Sequence, residues 1–316
     1  CREATCRPVR QERMTTSHRQ TLTFLTRRLK EIGVQPNTRH GQNFLIDLNL
    51  VELLVDSAEL DQRDVVLEVG TGTGSLTQMM AQRAVHVVTW EIDAALHQLA
   101  QEECVDLENI TFLHMDALRN KNNMRAEVID TVQQKMAEIP DARCKLAANL
   151  PYNVATPIIS NLLLTPITPV SMTVTIQKEL ADRIIAPPTT KDYSALSVWV
   201  QSLCHAEIIR VMPPTVFWPR PKVNSAIIRI KPDDAMRARI PDLEFYHQHV
   251  RAMFFHRRKF LRSVILSAYK GQLDKPPVDT IMESQNLGPT SRAEELSIDQ
   301  MLSLAEAVRE QLGFVM

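Results

Sequence analysis

Glycine is scarce in this chain, the cysteines are scattered, and long apolar segments are lacking. No apolar run approaches the ~20 residues that a membrane-spanning helix requires, so we expect no contact with a membrane. The five cysteines include no Cys-x-x-Cys spacing, which argues against a metal site and for a reducing compartment. Because the basic N-terminal segment contains no apolar core of a signal peptide, we expect a cytoplasmic protein.

Charge is nearly balanced over the whole chain but is distributed unevenly along it. The net charge of −1 over 316 residues gives no general sign of a polyanionic partner. Residues 208–231 and 251–262 each contain five Lys or Arg residues and no acid, whereas residues 47–68 contain seven acids and one Arg. Such segregation can form a basic face that binds nucleic acid. It is equally compatible with ordinary solvated surface, and charge alone does not decide between the two.

Apolar strands alternate with amphipathic helices through the first 232 residues. The predicted strands are residues 65–69, 85–90, 110–115, 145–149, 170–177, 206–211 and 225–230. This alternation predicts an α/β fold with a mostly parallel sheet covered on both faces, in which the last two strands form an antiparallel pair. After Pro232 the pattern predicts helices alone. We therefore expect a leader without a fold at 1–20, an α/β domain at 21–232 and a small all-helical domain at 233–316.

Three of the eight glycines lie within five residues, in the sequence LEVGTGTGSLT. These residues, Gly70, Gly72 and Gly74, follow a predicted strand and open a helix, where the backbone turns tightly and a ligand can approach closely. The dinucleotide fingerprint is G-x-G-x-x-G, but the spacing here is G-x-G-x-G. Glu68 precedes the loop, and its carboxylate would repel a phosphate but suit a cation. These features favour S-adenosylmethionine, a nucleoside with a sulfonium and no phosphate, over a nicotinamide dinucleotide or a turn without a ligand.

Acidic residues follow the next two predicted strands. Glu91, in WEID, comes at the end of the strand after the glycine loop, where a carboxylate can accept hydrogen bonds from both ribose hydroxyls. Asp116, in HMDAL, follows the third strand and can accept a hydrogen bond from an adenine amino group. Either residue alone is typical of an ordinary loop. Their order at successive strand ends, where open α/β sheets bind ligands, predicts that both contact the cofactor.

The stretch ANLPYN, residues 148–153, ends the fourth predicted strand beside the glycine loop. The Asn149 carbonyl and a backbone carbonyl set by Pro151 can accept from an exocyclic amino group, and Tyr152 offers a face to a flat base. The amino nitrogen of adenine is a poor nucleophile because its lone pair is delocalised into the ring. Accepting its two hydrogens favours a pyramidal nitrogen, so the stretch predicts methyl transfer to adenine without a strong base. The alternative is a strand-to-loop turn with no chemical role.

Eight segments in this order resemble those of the KsgA-type ribosomal RNA small-subunit adenine dimethyltransferases. They are RHGQNFLID, EVGTGTG, WEID, MDAL, ANLPYN, FWPRPKVNSAIIRI, FFHRRKFLR and RAEELS, and the likeness runs from about Arg39 to the C-terminus. It implies a Rossmann-like class I methyltransferase fold, followed by a helical domain that recognises rRNA. It also implies S-adenosylmethionine as cofactor and two adjacent adenosines near the 3′ end of 16S rRNA as substrate, within an immature 30S-type particle. A monomer is the default expectation.

The same resemblance assigns roles to individual residues. The residues implied to contact the cofactor are Asn43, Leu45, Gly70, Glu91, Asp116 and Asn149. The residues implied to surround the target N6 atom are Asn149, Leu150 and Tyr152, with Phe217 stacked on the other face of the flipped base. Stacking on an aromatic ring contributes ~1–3 kcal/mol per base, which offsets the cost of flipping. Without the resemblance, Phe217 would more simply be a core residue.

Two kinds of related protein are alternatives. The large-subunit rRNA adenine methyltransferases that confer macrolide resistance share the N-terminal motifs, but the RRKFLR and RAEELS segments favour the small-subunit type. A non-catalytic RNA- or DNA-binding relative is disfavoured because Glu91, Asp116 and Asn149 are all present. The segment 117–144 is longer than is usual in the family, and the resemblance predicts no structure for it.

Overall fold

The computed structural model describes residues 22–33, 42–256 and 259–313. Its strands are β1 (Phe44–Leu45), β2 (Asp64–Val69), β3 (His86–Glu91), β4 (Ile110–His114), β5 (Leu118–Asn120), β6 (Asn123–Met124), β7 (Arg143–Asn149), β8 (Ser171–Gln177), β9 (Cys204–Met212), β10 (Phe217–Trp218) and β11 (Ser225–Pro232). Its helices are α1 (Leu22–Glu31), α2 (Leu48–Ser57), α3 (Ser75–Ala81), α4 (Ala94–Glu103), α5 (Ala126–Ala137), α6 (Ala155–Leu162), α7 (Lys178–Ile185), α8 (Ala195–Gln201), α9 (Asp234–Arg237), α10 (Leu243–Phe255), α11 (Leu261–Ala268), α12 (Lys275–Ser284) and α13 (Ile298–Gln311).

A central sheet of seven strands has the order β4-β3-β2-β7-β8-β11-β9. Neighbouring strands from β4 to β8 are parallel, and β11 lies antiparallel to both β8 and β9. Every residue of β2, with the sequence DVVLEV, is buried, as expected for a strand covered by helices on both faces. This topology confirms the predicted α/β fold with a mostly parallel sheet and a final antiparallel pair.

The chain reverses its direction across the sheet at β2. From β2 it adds β3 and β4 on one side, and it then returns to place β7 and β8 on the other side. Open α/β sheets bind ligands in the crevice outside the carboxyl ends of their strands at such a reversal. The fold therefore brings the loops after β2, β3, β4 and β7 to one edge of the sheet.

The sequence pattern does not predict two small strand pairs. In the first, β1 pairs with β10, so that Phe44 lies opposite Trp218 and Leu45 lies opposite Phe217. In the second, β5 and β6 form a hairpin within the long segment 117–144. Strands of two or three residues have no periodicity to detect, and the first pair joins distant parts of the chain.

Helices α9 to α13 follow the sheet in the chain. Of these, α10 and α13 pack against α8, which itself packs against β9. The Tyr246 hydroxyl of α10 lies 2.6 Å from the Ser202 Oγ, and the Tyr193 hydroxyl donates to the Leu296 carbonyl at 2.9 Å. One buried apolar cluster runs from the sheet strands to α13. The core is thus continuous across Pro232, and the domain boundary placed there stays a prediction.

Some predicted features fall outside the described residues. These are the leader at 1–20, the start of the first motif at 39–41, and Arg257 and Arg258 of the basic segment 251–262. Within the described ranges, no helix combines the length and the apolar composition needed to cross a membrane.

A buried network of ion pairs joins the amino ends of β2 and β7. The Asp64 carboxylate is fully buried and lies 2.9 Å from the Lys145 Nζ and 2.8 Å from the Arg143 Nη2. Lys145 also donates to the backbone carbonyls of Ala58 and Glu59. Because the buried charges are paired and hydrogen-bonded, loss of one member would leave another charge uncompensated.

We expect the Asp64→Asn variant to lose about 3–5 kcal/mol of unfolding free energy, because the Lys145 ammonium would stay buried without its counter-charge. Urea unfolding at equilibrium measures this loss. The matched control is Asp56→Asn, which breaks an exposed pair with Arg83 and should change stability by less than about 1 kcal/mol. Equal losses in the two variants would contradict a structural role for the buried network.

Candidate active site

A cleft opens at the carboxyl ends of β2, β3, β4 and β7, where the sheet reverses. The residues that line it are Gln42, Asn43, Phe44, Val69, Gly70, Gly72, Trp90, Glu91, Ile92, Leu96, Met115, Asp116, Ala117, Asn149, Leu150, Pro151, Tyr152, Asn153 and Val154. The fold thus brings together all of the site residues predicted from the sequence except Leu45 and Phe217.

The glycine loop packs closely against Pro151 and Phe44. Gly70 has φ +85°, its N–H donates to the Trp90 carbonyl at 2.9 Å, and a Cβ on it would lie 3.3 Å from the Pro151 ring. Gly72 has φ +58°, and a Cβ on it would lie 3.2 Å from the Phe44 ring. The left-handed backbone and the short contacts both favour glycine, which leaves the loop backbone open to a ligand.

Glu91 ends β3 with a largely buried carboxylate that three backbone N–H groups hold. Its Oε1 accepts from Ile92 and Asp93 at 3.0 Å each, and its Oε2 accepts from Gly72 at 2.9 Å. Burial raises the pKa of the carboxyl, and the three hydrogen bonds oppose that shift. Because Oε2 keeps a lone pair, the carboxylate can accept from a ligand while it stays fixed to the loop.

Asp116 and Ile92 form part of the rim of the cleft. The exposed Asp116 side chain is fixed by its Oδ1, which accepts from the Leu118 N–H at 2.9 Å. Ile92 is 48% exposed and presents an apolar surface beside Glu91. Ile92 is not among the residues predicted from the sequence, although an apolar residue between the two acids of WEID is a signal that could have identified it.

Glu68 does not line the cleft, and the prediction that its carboxylate suits a cation bound there is wrong. Its side chain is buried beneath the glycine loop, where Oε2 accepts from the hydroxyls of Thr77 and Thr89 at 2.6 and 2.7 Å. Burial raises the pKa of Glu68 to about 8. At neutral pH the group is therefore mostly a neutral acid that joins β2 to β3 and α3.

Asn149 ends β7, and one backbone carbonyl orients its amide. Its Nδ2 donates to the Asn43 carbonyl at 2.8 Å, which distinguishes the nitrogen from the oxygen. Oδ1 is thereby the atom left to accept a hydrogen bond from a ligand. The next residue, Leu150, donates its N–H to the Thr175 carbonyl of β8 at 3.1 Å, so the sheet also fixes the backbone that enters the LPYN turn.

The Tyr152 ring lines the cleft and is fixed by its hydroxyl. That hydroxyl lies 2.5 Å from the Ser225 Oγ at the start of β11, and burial raises the pKa of the phenol. The sequence alone does not identify Ser225 as a supporting residue. Its only signal is a serine at the start of a predicted strand, and the fold is needed to bring that position to Tyr152.

Phe217 and Leu45 lie behind the cleft. Phe217 is 1% exposed and belongs to an apolar cluster with Val51, Met212 and Ile227. Leu45 lies opposite Phe217 across the β1–β10 pair and borders a smaller cavity behind the glycine loop. A flipped base cannot stack on a ring with no exposed face, so the role implied for Phe217 is corrected to a core residue in this structure.

The burial of Glu68 makes stability depend on pH. The folded pKa of about 8 exceeds the ordinary glutamate pKa of 4.5, so the folded state keeps a proton that the unfolded state releases as the pH rises between these values. The stability contributed by the neutral acid is therefore present at low pH and is lost as the pH rises through this window. The substitution Glu68→Gln keeps the shape of the side chain and an acceptor for both threonines. We expect the unfolding free energy of this variant to fall less than that of the unaltered protein as the pH rises across this window.

Urea unfolding at several pH values across that window measures the slope of stability against pH. The control Glu108→Gln replaces an exposed glutamate and should keep the slope of the unaltered protein. If Glu68→Gln also kept that slope, Glu68 would not be a buried neutral acid.

The comparisons with known proteins agree over most of the chain. The family model of the ribosomal RNA adenine dimethylases matches residues 33–310. The ribosomal RNA small subunit methyltransferase A of Clostridium botulinum (strain ATCC 19397 / Type A) is 37% identical over 276 residues, which are 87% of this chain and 95% of that protein. The protein of the same name from Halothermothrix orenii is 39% identical over 268 residues, which are 85% of this chain and 86% of that protein.

Two solved structures share the fold. A dimethyladenosine transferase from Plasmodium falciparum has a TM-score of 0.66 at 21% identity and covers 83% of this chain and 96% of its own. The 23S rRNA methyltransferase ErmE has a TM-score of 0.56 at 25% identity and covers 84% of this chain and 98% of its own. Since the family model and the 37–39% identical relatives both extend over most of the sequence, this chain belongs to the ribosomal RNA adenine dimethylase family.

Proposed function

We propose that this protein transfers methyl groups from S-adenosylmethionine to the N6 atoms of two adjacent adenosines near the 3′ end of small-subunit rRNA. The observation that carries the proposal is the Asn149 amide, whose nitrogen is bonded to the Asn43 carbonyl so that its oxygen is left for a donor in the cleft. Tyr152 lines the same cleft with a fixed ring. Family membership supports adenine in rRNA as the target, and the relatives named above support the small subunit.

The cleft offers hydrogen-bonding groups that suit S-adenosylmethionine. The residues proposed to hold it are Asn43, Gly70, Glu91, Ile92, Asp116 and Asn149. Leu45, which the resemblance also implies, borders the smaller cavity behind the glycine loop instead. Gly70 leaves its backbone open to close approach, and Glu91 Oε2 can accept from a ribose hydroxyl. Ile92 gives the adenine ring an apolar surface, and Asp116 gives its amino group an acceptor. When bound, the cofactor supplies a methyl group activated by the positive charge on sulfur.

Asn149 and the backbone carbonyl of Leu150 are proposed to accept the two hydrogens of the target amino group. This acceptance draws the nitrogen lone pair out of conjugation with the ring, which makes it available to a methyl donor. No side chain has to remove a proton before attack, because the proton can leave after the methyl group has arrived. Tyr152 is proposed to stack on the flipped base and to hold it in position. The orientation of the amino group towards the methyl donor then supplies most of the rate acceleration.

The proposed partner is an immature small-subunit particle, bound by a monomer of this protein in the cytoplasm. Exposed cations near the cleft support an RNA partner. Arg220 and Lys222 lie in the loop between β10 and β11, and Ser225 at the start of β11 contacts the Tyr152 hydroxyl. Neither cation has an acidic partner among the described residues. Such cations can contact the phosphates of a bound RNA.

Purified protein should transfer labelled methyl groups from S-adenosylmethionine to immature small subunits taken from a strain that lacks this dimethylation. Digestion of the labelled rRNA to nucleosides should release N6,N6-dimethyladenosine. Label on large-subunit RNA instead would favour the activity named for ErmE. No label on either RNA, despite cofactor binding, would favour a binding protein without catalysis.

In the same assay, Asn149→Ala should abolish transfer because the oxygen that accepts from N6 is lost. Calorimetry should show only a modest loss of affinity for S-adenosylmethionine. The control Asn49→Ala removes an exposed amide at the start of α2 and should keep full turnover. Unchanged turnover in Asn149→Ala would remove the proposed role of that amide.

Substitutions of Tyr152 separate the ring from the hydroxyl. We expect Tyr152→Ala to lower kcat/KM for small subunits by ~5–150-fold, the equivalent of ~1–3 kcal/mol of stacking on one base. Tyr152→Phe keeps the ring and should retain most of the activity, although its bond to Ser225 is lost. If the two variants were equally impaired, the hydroxyl and not the ring would be the important group.

A further inference from the structure

The loops after β3 and β4 supply the two residues proposed to hold the adenine of the cofactor. Ile92 follows β3 with an apolar side chain that is 48% exposed, and Asp116 follows β4 with an exposed carboxylate. Both residues line the cleft. An adenine ring can pack on Ile92 and donate from its amino group to Asp116 only while the two loops keep a fixed separation.

The backbone ladder between β3 and β4 ends before it reaches these two residues. The register pairs Glu91 with His114, and one further bond runs from the Met115 N–H to the Glu91 carbonyl at 3.1 Å. Within the described ranges it is the last backbone bond that joins the two strands at this end. Because β4 is the edge strand of the sheet, no other strand supports its outer side.

The His114 side chain extends the connection by one residue. Its Nε2 lies 3.2 Å from the Ile92 carbonyl oxygen. Because a carbonyl oxygen can only accept, this bond requires that the His114 Nε2 carries a proton and donates it. The Ile92 N–H already donates to Glu91 Oε1 at 3.0 Å. Both backbone polar groups of Ile92 are therefore held, one by the end of β3 and the other by the end of β4.

His97 of α4 packs against the His114 ring. The centroids of the two imidazoles lie 5.2 Å apart, and Phe112 meets His97 edge-on with centroids 6.1 Å apart. Burial, together with the neighbouring His114, lowers the pKa of His97, which favours a neutral ring and avoids repulsion within the pair. An exposed side chain loses rotamer freedom when it forms a hydrogen bond, and a ring that already packs on a neighbour has less freedom to lose.

We propose that His114 is a positioning residue for the adenine end of the methyl donor. Its bond to the Ile92 carbonyl fixes the loop after β3 against the loop after β4, so that Ile92 and Asp116 hold the ring between them. This inference rests on the proposed function, which assigns the adenine to these two residues. His114 is not among the described residues that line the cleft, so it acts on cofactor binding through Ile92 and takes no part in methyl transfer.

The test compares the binding of two ligands to the full chain by calorimetry. S-adenosylhomocysteine carries the adenine amino group, whereas S-inosylhomocysteine has a carbonyl oxygen in its place, which cannot donate to Asp116. We therefore expect the unaltered protein to bind the adenosyl ligand more tightly than the inosyl ligand. The ratio of the two affinities reports how well Ile92 and Asp116 hold the ring, and a general loss of stability would not change this ratio.

The variant His114→Ala should weaken binding of the adenosyl ligand by ~2–12-fold, the effect of losing one neutral hydrogen bond. It should also reduce the preference for the adenosyl ligand, because Asp116 no longer lies at a fixed distance from Ile92. In the methyl-transfer assay, the variant should raise KM for S-adenosylmethionine and keep kcat. The His114 side chain is exposed, so the variant should fold.

Two further variants are controls. His114→Gln keeps a side-chain N–H that can reach the Ile92 carbonyl, and it should restore most of the affinity and of the preference. His86→Ala removes a histidine hydrogen bond from the amino ends of the same two strands, where His86 Nε2 lies 2.8 Å from Thr111 Oγ1. This variant should keep both affinities of the unaltered protein.

Two results would overturn the positioning role of His114 and leave the proposed function intact. One is an unchanged affinity and preference in His114→Ala, and the other is an equal loss in His114→Ala and His86→Ala. An unaltered protein that bound neither ligand would overturn the assignment of the cleft to S-adenosylmethionine, and the role of His114 would fall with it.

Discussion

The hydrogen bond from the Asn149 amide to the Asn43 carbonyl is the contact on which the candidate site depends. It joins the end of β7 to the segment before β1, two parts of the chain that lie 106 positions apart. Without it, either the nitrogen or the oxygen of the amide could face a ligand, and a donor would take the place of an acceptor. The same segment packs Phe44 against Gly72, so it also covers the glycine loop. The pairing of β1 with β10 therefore fixes both the loop and the amide.

Burial and hydrogen-bond donors separate the roles of two glutamates that lie on neighbouring strands. Glu91 is held by three backbone N–H groups, which favour the charged form and oppose the rise in its pKa that burial causes. Glu68 is bonded to two threonine hydroxyls beneath the loop, and burial there favours the neutral form. One acid is thus placed to recognise a ligand, and the other stabilises the loop that the ligand contacts.

The sequence predicts the sheet and much of the cleft, because both follow from the order of strands and from what stands at their ends. Parallel strands align their carboxyl ends at one edge of the sheet. The sequence alone therefore predicts that Gly70, Glu91 and Asn149 lie close together. Side-chain direction is harder to predict, since Phe217 lies in a two-residue strand whose partner is far away in the chain. The bond between Tyr152 and Ser225 depends on a contact between distant segments that no local pattern records.

The central claim is that the cleft at the reversal of the sheet holds a positively charged methyl donor. Calorimetric titration of S-adenosylmethionine into the purified protein tests this claim most directly. The account predicts saturable binding of one molecule per chain, weakened when Glu91 is replaced by alanine, and no binding heat with NAD. Tight binding of NAD, with no heat from S-adenosylmethionine, would contradict it.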